Sequence, residues 1–344
     1  MKKMEFGWAD GQTRAIQSFD INVNHEIKEI IFGLIKDKID INDASLKLLF
    51  KSETPAGSYQ LKNKKNEFFI RVSSRIGNFN LENEFVNFLI SRKVAVNEFI
   101  YGGINFNWKD IIYRLDVRPF LNGHCFELKI DEFKNLIESI NNLHDVSRDF
   151  PKSQEIMENQ KFVSQKQNEI RNQCLSALNN EEFHFFKDFE HWARNKEKWL
   201  KNILNEYDPF IENMPNAQCL HGQIHPGNVL FIERYPVLFD TETSINTYAP
   251  IEWDLSWVLQ RFIINQALSK KESLKFIELL ADDGIKIKKI INMSKINTTY
   301  SVLAVFDYFI NKKISVPQSE LDKFYNNYMS LCDYELYLRK IYEI

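Results

Sequence analysis

No stretch of this chain approaches the roughly 20 consecutive apolar residues that a helix needs to cross a bilayer. The opening residues, Met1-Lys2-Lys3-Met4-Glu5, lack the apolar segment of a secretion signal. Both absences predict a cytoplasmic protein with no membrane partner. A basic excess is missing too. The formal net charge is -3, with Lys and Glu interspersed, so no electrostatic footprint for nucleic acid or anionic lipid is present. Cysteine is scarce and scattered: Cys125, Cys174, Cys219 and Cys332 show no C-x-x-C spacing. That argues against a zinc site or a disulfide framework and fits a reducing compartment. Cys219 sits in an apolar Cys-Leu pair that reads as strand core, a poor setting for a nucleophile. The chain also has no G-x-G-x-x-G, no internal repeat and no low-complexity tract.

What is present suits a globular protein large enough for two lobes. The 344 residues are 44% hydrophobic and 26% charged, and 28 phenylalanines point to aromatic packing in the core. A helical period runs from Asn22 to about Lys38, with Ile27, Ile30, Ile31, Leu34 and Ile35 on one face. Three short strand-like runs follow, at 44–50, 57–61 and 67–73, and their turn-rich connections predict an antiparallel meander. Leu81 to Lys93 reads as a helix, and Phe99 to Gly102 and Asp110 to Val117 read as further strand. Beyond Arg118 to Gly123, a connector, the chain turns mostly helical. Helices are expected from Phe133 to His144, through Ser153 to Asn205 with Trp192 and Trp199 as anchors, and at 253–267, 271–281, 295–310 and 319–342. The expected division is a sheet lobe with a leading helix at 1–118 and a helical lobe at 119–344.

One strand-and-turn island interrupts the helical half. It reads Leu220-His221-Gly222-Gln223-Ile224-His225-Pro226-Gly227-Asn228-Val229-Leu230-Phe231, and twelve residues after Asn228 an apolar run closes on Asp240-Thr241-Glu242. Asn228 offers an amide oxygen and Asp240 a carboxylate, from segments a hairpin apart. Magnesium prefers such hard oxygens and keeps several waters. Glu242 is placed to support the pair or to reach the metal. Taken singly, Asp240 could be a turn residue and Asn228 a cap; the combined spacing makes those readings the weaker ones.

This segment resembles the catalytic and metal loops of the aminoglycoside phosphotransferase and choline kinase superfamily. That pattern is His-Gly-Asp-x-x-x-x-Asn, an apolar strand, then Asp-x-Glu; here it reads His221-Gly222-Gln223-x-x-x-x-Asn228, then Val237-Leu238-Phe239-Asp240-Thr241-Glu242. Trp253-Asp254-Leu255-Ser256 resembles the helix start that steadies the catalytic loop, and Asn141-Asn142-Leu143-His144 the Leu-His end of the first helix of the larger lobe. The resemblance runs in order from about 44 to 260. It implies an α+β fold of the protein-kinase type, with an antiparallel-sheet N-lobe and a larger helical C-lobe. It also implies an ATP and Mg2+ site between the lobes, and a small-molecule acceptor. By the same resemblance Asn228, Asp240 and Glu242 form the metal site, and Arg71 touches the nucleotide phosphates with Glu84 as its partner and Glu82 second. Gly57 and Ser58 form the turn over the phosphates, and Arg118 to Gly123, including Phe120, is the hinge whose backbone binds adenine. His221 and His225 hold the catalytic loop.

Gln223 departs from the pattern. A glutamine is neutral, cannot take a proton and is one methylene longer than aspartate. A positioned base contributes about 10² to 10⁴ in rate, while much of phosphoryl-transfer catalysis comes from positioning and charge. Four readings follow. A working kinase orients its acceptor with Gln223 and removes the proton elsewhere. The acceptor is already anionic and needs no base. The protein is a nucleotide-binding pseudokinase. Or the glutamine was introduced to trap a complex. Trp253 and Trp257 offer a cation–π wall for an ammonium group, although a Trp pair at a helix start is more often core. The identity of the acceptor and the oligomeric state are not written in the sequence.

Overall fold

The computed structural model describes residues 23–49, 55–74, 77–266, 268–281, 283–311 and 317–342. Asn22, Phe50, Thr54 and Ala267, which border predicted elements, lie outside them. The chain opens with α1 (His25–Ile35), capped by Asn24, whose Oδ1 accepts from the Glu26 amide at 2.9 Å. Ile27, Ile31 and Ile35 recur every fourth residue and form its buried stripe.

Next come β1 (Ser45–Leu48), β2 (Gly57–Lys62), β3 (Glu67–Ser73), α2 (Phe79–Ser91), β4 (Tyr101–Trp108) and β5 (Ile111–Pro119). The strands form one antiparallel sheet in the order β1-β2-β3-β5-β4. Alternation along each strand gives the sheet two different faces. Leu46, Leu48, Tyr59, Leu61, Ile70, Val72, Tyr113, Leu115 and Val117 pack against the α1 stripe. The other face carries Arg71 on β3 and Arg114, Asp116 and Arg118 on β5, with Arg71 directly opposite Asp116.

The expected strand ending at Gly102 instead begins near there and runs on to Trp108. A bulge between Tyr101 and Ile104 makes this possible. Gly103 adopts φ +69°, and a side chain there would run into Phe79. Its amide is received by Asp116 Oδ1 at 2.8 Å.

A second lobe follows, built from α3 (Ile130–Ser147), α4 (Ser153–Asn179), α5 (Glu190–Asn195), α6 (Glu197–Glu206), β6 (Gln218–Cys219), β7 (Val229–Ile232), β8 (Tyr235–Leu238), β9 (Tyr248–Ala249), α7 (Glu252–Val258), α8 (Lys270–Leu280), α9 (Gly284–Ile310) and α10 (Gln318–Tyr342). The helix expected through 153–205 is broken in three. Phe183, Phe186 and Phe189 are pulled into the core from a tight 3-10 segment, and Lys187 leaves helical geometry there. Trp192 and Trp199 meet edge-to-face, and Trp199 also meets Tyr325 and Tyr328 of α10. The helix expected from residue 295 starts eleven residues earlier, at Gly284, capped by Asp283. The run after α7 loosens into a π-type turn over Leu259–Ile264. Phe126, Phe133, Phe231, Phe262 and Phe276 form the aromatic centre of this lobe. Among the described residues no helix is long and apolar enough to cross a membrane.

A buried charge network joins the lobes. Glu82 on α2 receives Arg114 Nη2 at 2.8 Å and Arg118 Nη2 at 3.3 Å, and Arg114 Nε donates to Asp116 at 2.9 Å. Glu82 also accepts from the Thr241 hydroxyl of the second lobe at 2.9 Å. Burial pushes the Glu82 carboxyl up, and the two arginines oppose it. Glu84 takes another course: it is exposed and pairs with Lys152 at 2.6 Å. It does not serve Arg71, because one turn of α2 presents Glu82 inward and Glu84 outward. Glu82→Ala should therefore cost about 3–5 kcal/mol by stranding buried arginines, whereas Glu84→Ala should cost no more than about 1 kcal/mol. Urea denaturation of the two variants checks the contrast.

Candidate active site

The catalytic-loop segment is held in shape before any ligand is considered. The Asp254 carboxylate, buried at the start of α7, accepts the amides of His221 at 3.0 Å and Gly222 at 2.8 Å. Its Oδ2 also lies 3.1 Å from His144 Nε2, at the end of α3. Trp253 Nε1 donates to the Gly222 carbonyl at 3.1 Å. Gly222 has φ +89°, and a Cβ there would fall 2.3 Å from Thr247 Oγ1, so the turn requires glycine.

His221 is buried and bonded on all sides. Its Nε2 reaches the Phe239 carbonyl at 2.7 Å, and its own carbonyl receives the hydroxyls of Thr243 and Ser244. Burial pushes its imidazole down, against the raising influence of Asp254. A neutral ring with its proton on Nε2 ties the 221–223 turn to the segment that ends in Asp240. His225 caps the short 3-10 turn Pro226–Asn228: its Nδ1 accepts from the Gly227 amide at 3.0 Å. His221 thus ties the loop to the segment ending in Asp240, and His225 bonds within the loop.

The β7–β8 hairpin brings the two oxygen donors to neighbouring positions. Val229 pairs with Leu238, and the Phe239 amide bonds the Asn228 carbonyl at 2.9 Å, so Asn228 and Asp240 stand at the same end of the ladder. Asn228 Nδ2 donates to the Gln223 carbonyl at 3.0 Å, which fixes the amide and leaves Oδ1 as the available oxygen. Asp240 sits in the left-handed region, φ 58° and ψ 54°, at the start of the turn Thr241–Asn246. Asp tolerates that conformation better than most residues, and such strain concentrates at functional positions. The hairpin is clamped by the rest of the fold: Leu238 bonds to Ala95 and Asn97, and Phe231 exchanges two backbone bonds with His124. Gln223 is half-buried, and its backbone carbonyl accepts from Asn228 while its backbone amide donates to His221 Nδ1.

Arg71 meets the same corner from the sheet. Its Nη2 lies 3.8 Å from Asp240 Oδ2 and its Nη1 lies 3.3 Å from the Ser58 hydroxyl. Burial would lower its pKa, but the carboxylates of Asp240, Glu242 and Asp116 outweigh that and raise it. Phe69 on β3 touches Phe239 edge-on, 6.5 Å between centroids. Arg71, Ser58 and Asp240 therefore meet at one corner, with the Glu242 charge reaching Arg71 and Asn228 at the same end of the β7–β8 ladder. Gly57 and Ser58 lie within β2 instead of a turn, because Leu49 N bonds Ser58 O at 2.9 Å and extends the ladder. Arg118 and Phe120, expected in the connector, lie in β5 and just beyond its end. Arg118 is a β5 residue whose guanidinium is buried against the Asn97 carbonyl, Glu82 and the Phe99 ring. The Phe120 amide bonds Glu67 O at 3.3 Å. Cys219 is buried in β6 and its thiol is pushed up to about 12 by burial, which removes it as a nucleophile.

Two features escaped the sequence reading. One is the Arg114–Asp116–Arg118 set, whose signal was three charges at alternate positions of an otherwise apolar strand. The other is Thr241, which couples the Asp240 turn to α2 through Glu82.

No family model and no curated protein matches the sequence. Solved structures do match in shape. A spectinomycin phosphotransferase, solved with ADP and spectinomycin, superposes with a TM-score of 0.60 at 17% identity, covering 88% of this chain and 93% of that one. The chain has the fold of these small-molecule kinases. An ethanolamine kinase from Plasmodium vivax gives a TM-score of 0.60 at 14% identity over 92% of each chain. A choline kinase from Streptococcus pneumoniae gives 0.54 at 13% identity, covering 89% of this chain and 98% of that one. The two-lobed α+β architecture expected from the sequence is the one found, and it is shared with the aminoglycoside phosphotransferase and choline kinase superfamily.

A pH dependence follows from His225. Burial and the neighbouring Arg261 push it from 6.5 down to about 3. Between those values the unfolded chain takes up a proton that the folded ring refuses. The stability associated with the neutral ring is complete above 6.5 and is lost as pH falls toward about 3. His225→Asn keeps an acceptor for the Gly227 amide but cannot titrate. Its melting temperature should fall less steeply than the parent's between pH 6.5 and about 4, as differential scanning fluorimetry would show.

Proposed function

We propose that this protein is an ATP-dependent phosphotransferase of the aminoglycoside phosphotransferase and choline kinase superfamily, acting on a small molecule. The observation that carries the reading is the Asn228–Asp240 pair. The hairpin sets Asn228 and Asp240 at the same end of its ladder, with Arg71 of the opposite lobe 3.8 Å from Asp240, which supports this reading. An amide oxygen and a carboxylate suit magnesium, with Glu242 close enough to contribute through its neighbours. Magnesium bound there would screen the charge of a triphosphate. Arg71, with its forked donors, would bind the phosphates, and its present neighbour Asp240 would turn to the metal. Adenine would lie against the connector beyond Phe120, in the division of lobes proposed at residue 118. The known structures of this fold include complexes with ADP and AMP, which favours the same crevice here.

The acceptor would enter from the helical lobe and meet Gln223. With no carboxylate at that position, the side-chain amide can orient an acceptor oxygen but cannot remove its proton. His221 is held by the Phe239 carbonyl, and His225, pushed down to about 3, is too weak a base to take one.

Thermal-shift titration tests the nucleotide site. ATP with magnesium should raise the melting temperature, equivalent to about 2.7 kcal/mol at a hundredfold excess over Kd. Asp240→Asn and Asn228→Ala should remove the magnesium dependence of that shift. A parent protein indifferent to ATP and magnesium refutes the reading.

A further inference from the structure

Several groups around His225 are hydrogen-bond donors or cations. His225 Nδ1 already accepts from the Gly227 amide at 3.0 Å, which places the single proton of the neutral ring on Nε2. Gln223 presents an amide that can donate two hydrogens. Trp257, one turn along α7 from the indole that bonds Gly222, is 6% exposed, and its Nε1–H has no hydrogen-bond partner. A buried donor left unmatched is uncommon in native proteins and calls for a physical explanation. Arg261, on the π-type turn, lays its guanidinium over the Trp257 ring, 5.5 Å from the centroid, and is 7% exposed. The helix α10 packs against this turn and carries Lys323. The positive charges of Arg261 and Lys323 both reach His225. One turn beyond Lys323, Asn327 Nδ2 is a second buried donor without a partner. Two acids lie in this neighbourhood: Asp240, whose charge also reaches His225, and Glu320, 3.9 Å from Lys323, whose Oε2 is buried without a hydrogen-bond partner.

We propose that the acceptor carries a carboxylate or phosphate group, received by Arg261, the Trp257 indole N–H and the Nε2–H of His225, with the Gln223 amide beside it. This rests on the phosphotransferase reading above. A guanidinium has five N–H donors, so Arg261 can hold an anion and keep its existing contacts. The Trp257 face that could have met an ammonium group is covered by Arg261, and the loop carboxylate that would attract one is replaced by Gln223. An anionic oxygen also removes the need for a base. It attacks the γ-phosphorus with a lone pair it already holds. The bond from that phosphorus to the β–γ bridging oxygen breaks, its electron pair leaves on ADP, and no proton moves. The product is an acyl phosphate or a phosphoanhydride.

The test uses the full chain saturated with a non-hydrolysable ATP analogue and magnesium, so that the phosphate positions are filled. Inorganic phosphate, acetate and tetramethylammonium are titrated separately against sodium chloride at matched ionic strength, with melting temperature as the readout. Phosphate and acetate distinguish the two anion classes. At least one of them should stabilise saturably, and tetramethylammonium should not. Arg261→Gln and Trp257→Phe should each weaken the anion about tenfold or more, and Gln223→Asp should do so by repulsion. Trp257→Phe removes only the N–H and keeps the ring, so it decides the matter if Arg261→Gln fails to fold. Neither anion acting beyond chloride, stabilisation by tetramethylammonium, or parent-like anion affinity in both variants overturns the proposal. No response to the ATP analogue itself sinks the phosphotransferase reading instead.

Discussion

The buried carboxylate of Asp254 is the fixed point of the helical lobe. One side chain receives the two amides that begin the catalytic loop and a histidine from the end of α3. Two buried amides without it would be orphaned at a cost of about 1–3 kcal/mol each. The loop would then have no reason to keep Gly222 in its left-handed turn. Everything downstream inherits this geometry. His221 can reach the Phe239 carbonyl only because its own amide is pinned, and that bond brings the Asp240 turn under the catalytic loop. Ser147 and Gln218 reinforce the same junction, bonding the Cys219 and His144 carbonyls.

A second constraint acts from the sheet lobe, and it departs from a simple pairing of one strand cation with one helix acid. Arg71 faces Asp240, while the helix acid Glu82 serves Arg114, Arg118 and Thr241. The two networks meet at the short segment Asp240-Thr241, one residue facing each. Position of α2 and position of the Asp240 carboxylate are thereby linked through a single backbone step. Four charges lie in the lobe interface and balance: two arginines against Glu82 and Asp116. Their cost of desolvation is offset only while all partners are in place. Such an arrangement contributes alignment more than stability.

The replacement at Gln223 is matched by its surroundings. Burial and the positive charges of Arg261 and Lys323 hold His225 neutral, and its tautomer is set by the Gly227 amide. Trp257 is covered by an arginine. Around His225 the cations Arg261 and Lys323 stand with the acids Asp240 and Glu320.

The sequence by itself determined the sheet-then-helix order of the chain, most of its elements, and the local geometry of the 221–242 segment. Asn228, Asp240, His221 and Arg71 were legible because their spacing is fixed by a hairpin and two turns, and local chemistry dictates such short-range geometry. The α1 stripe was legible for the same reason, since periodicity is local. Tertiary structure alone decided which acid faces which arginine. Glu82 and Glu84 are two residues apart on one helix, and only the packing of α2 against β5 turns one inward and sends the other to Lys152. It also decided that Arg118 is a buried strand residue and that the stretch 153–205 breaks where three phenylalanines seek the core. It placed the indole of Trp257 beneath Arg261. Those outcomes depend on contacts between segments far apart in the chain, where burial and charge pairing outweigh local propensity.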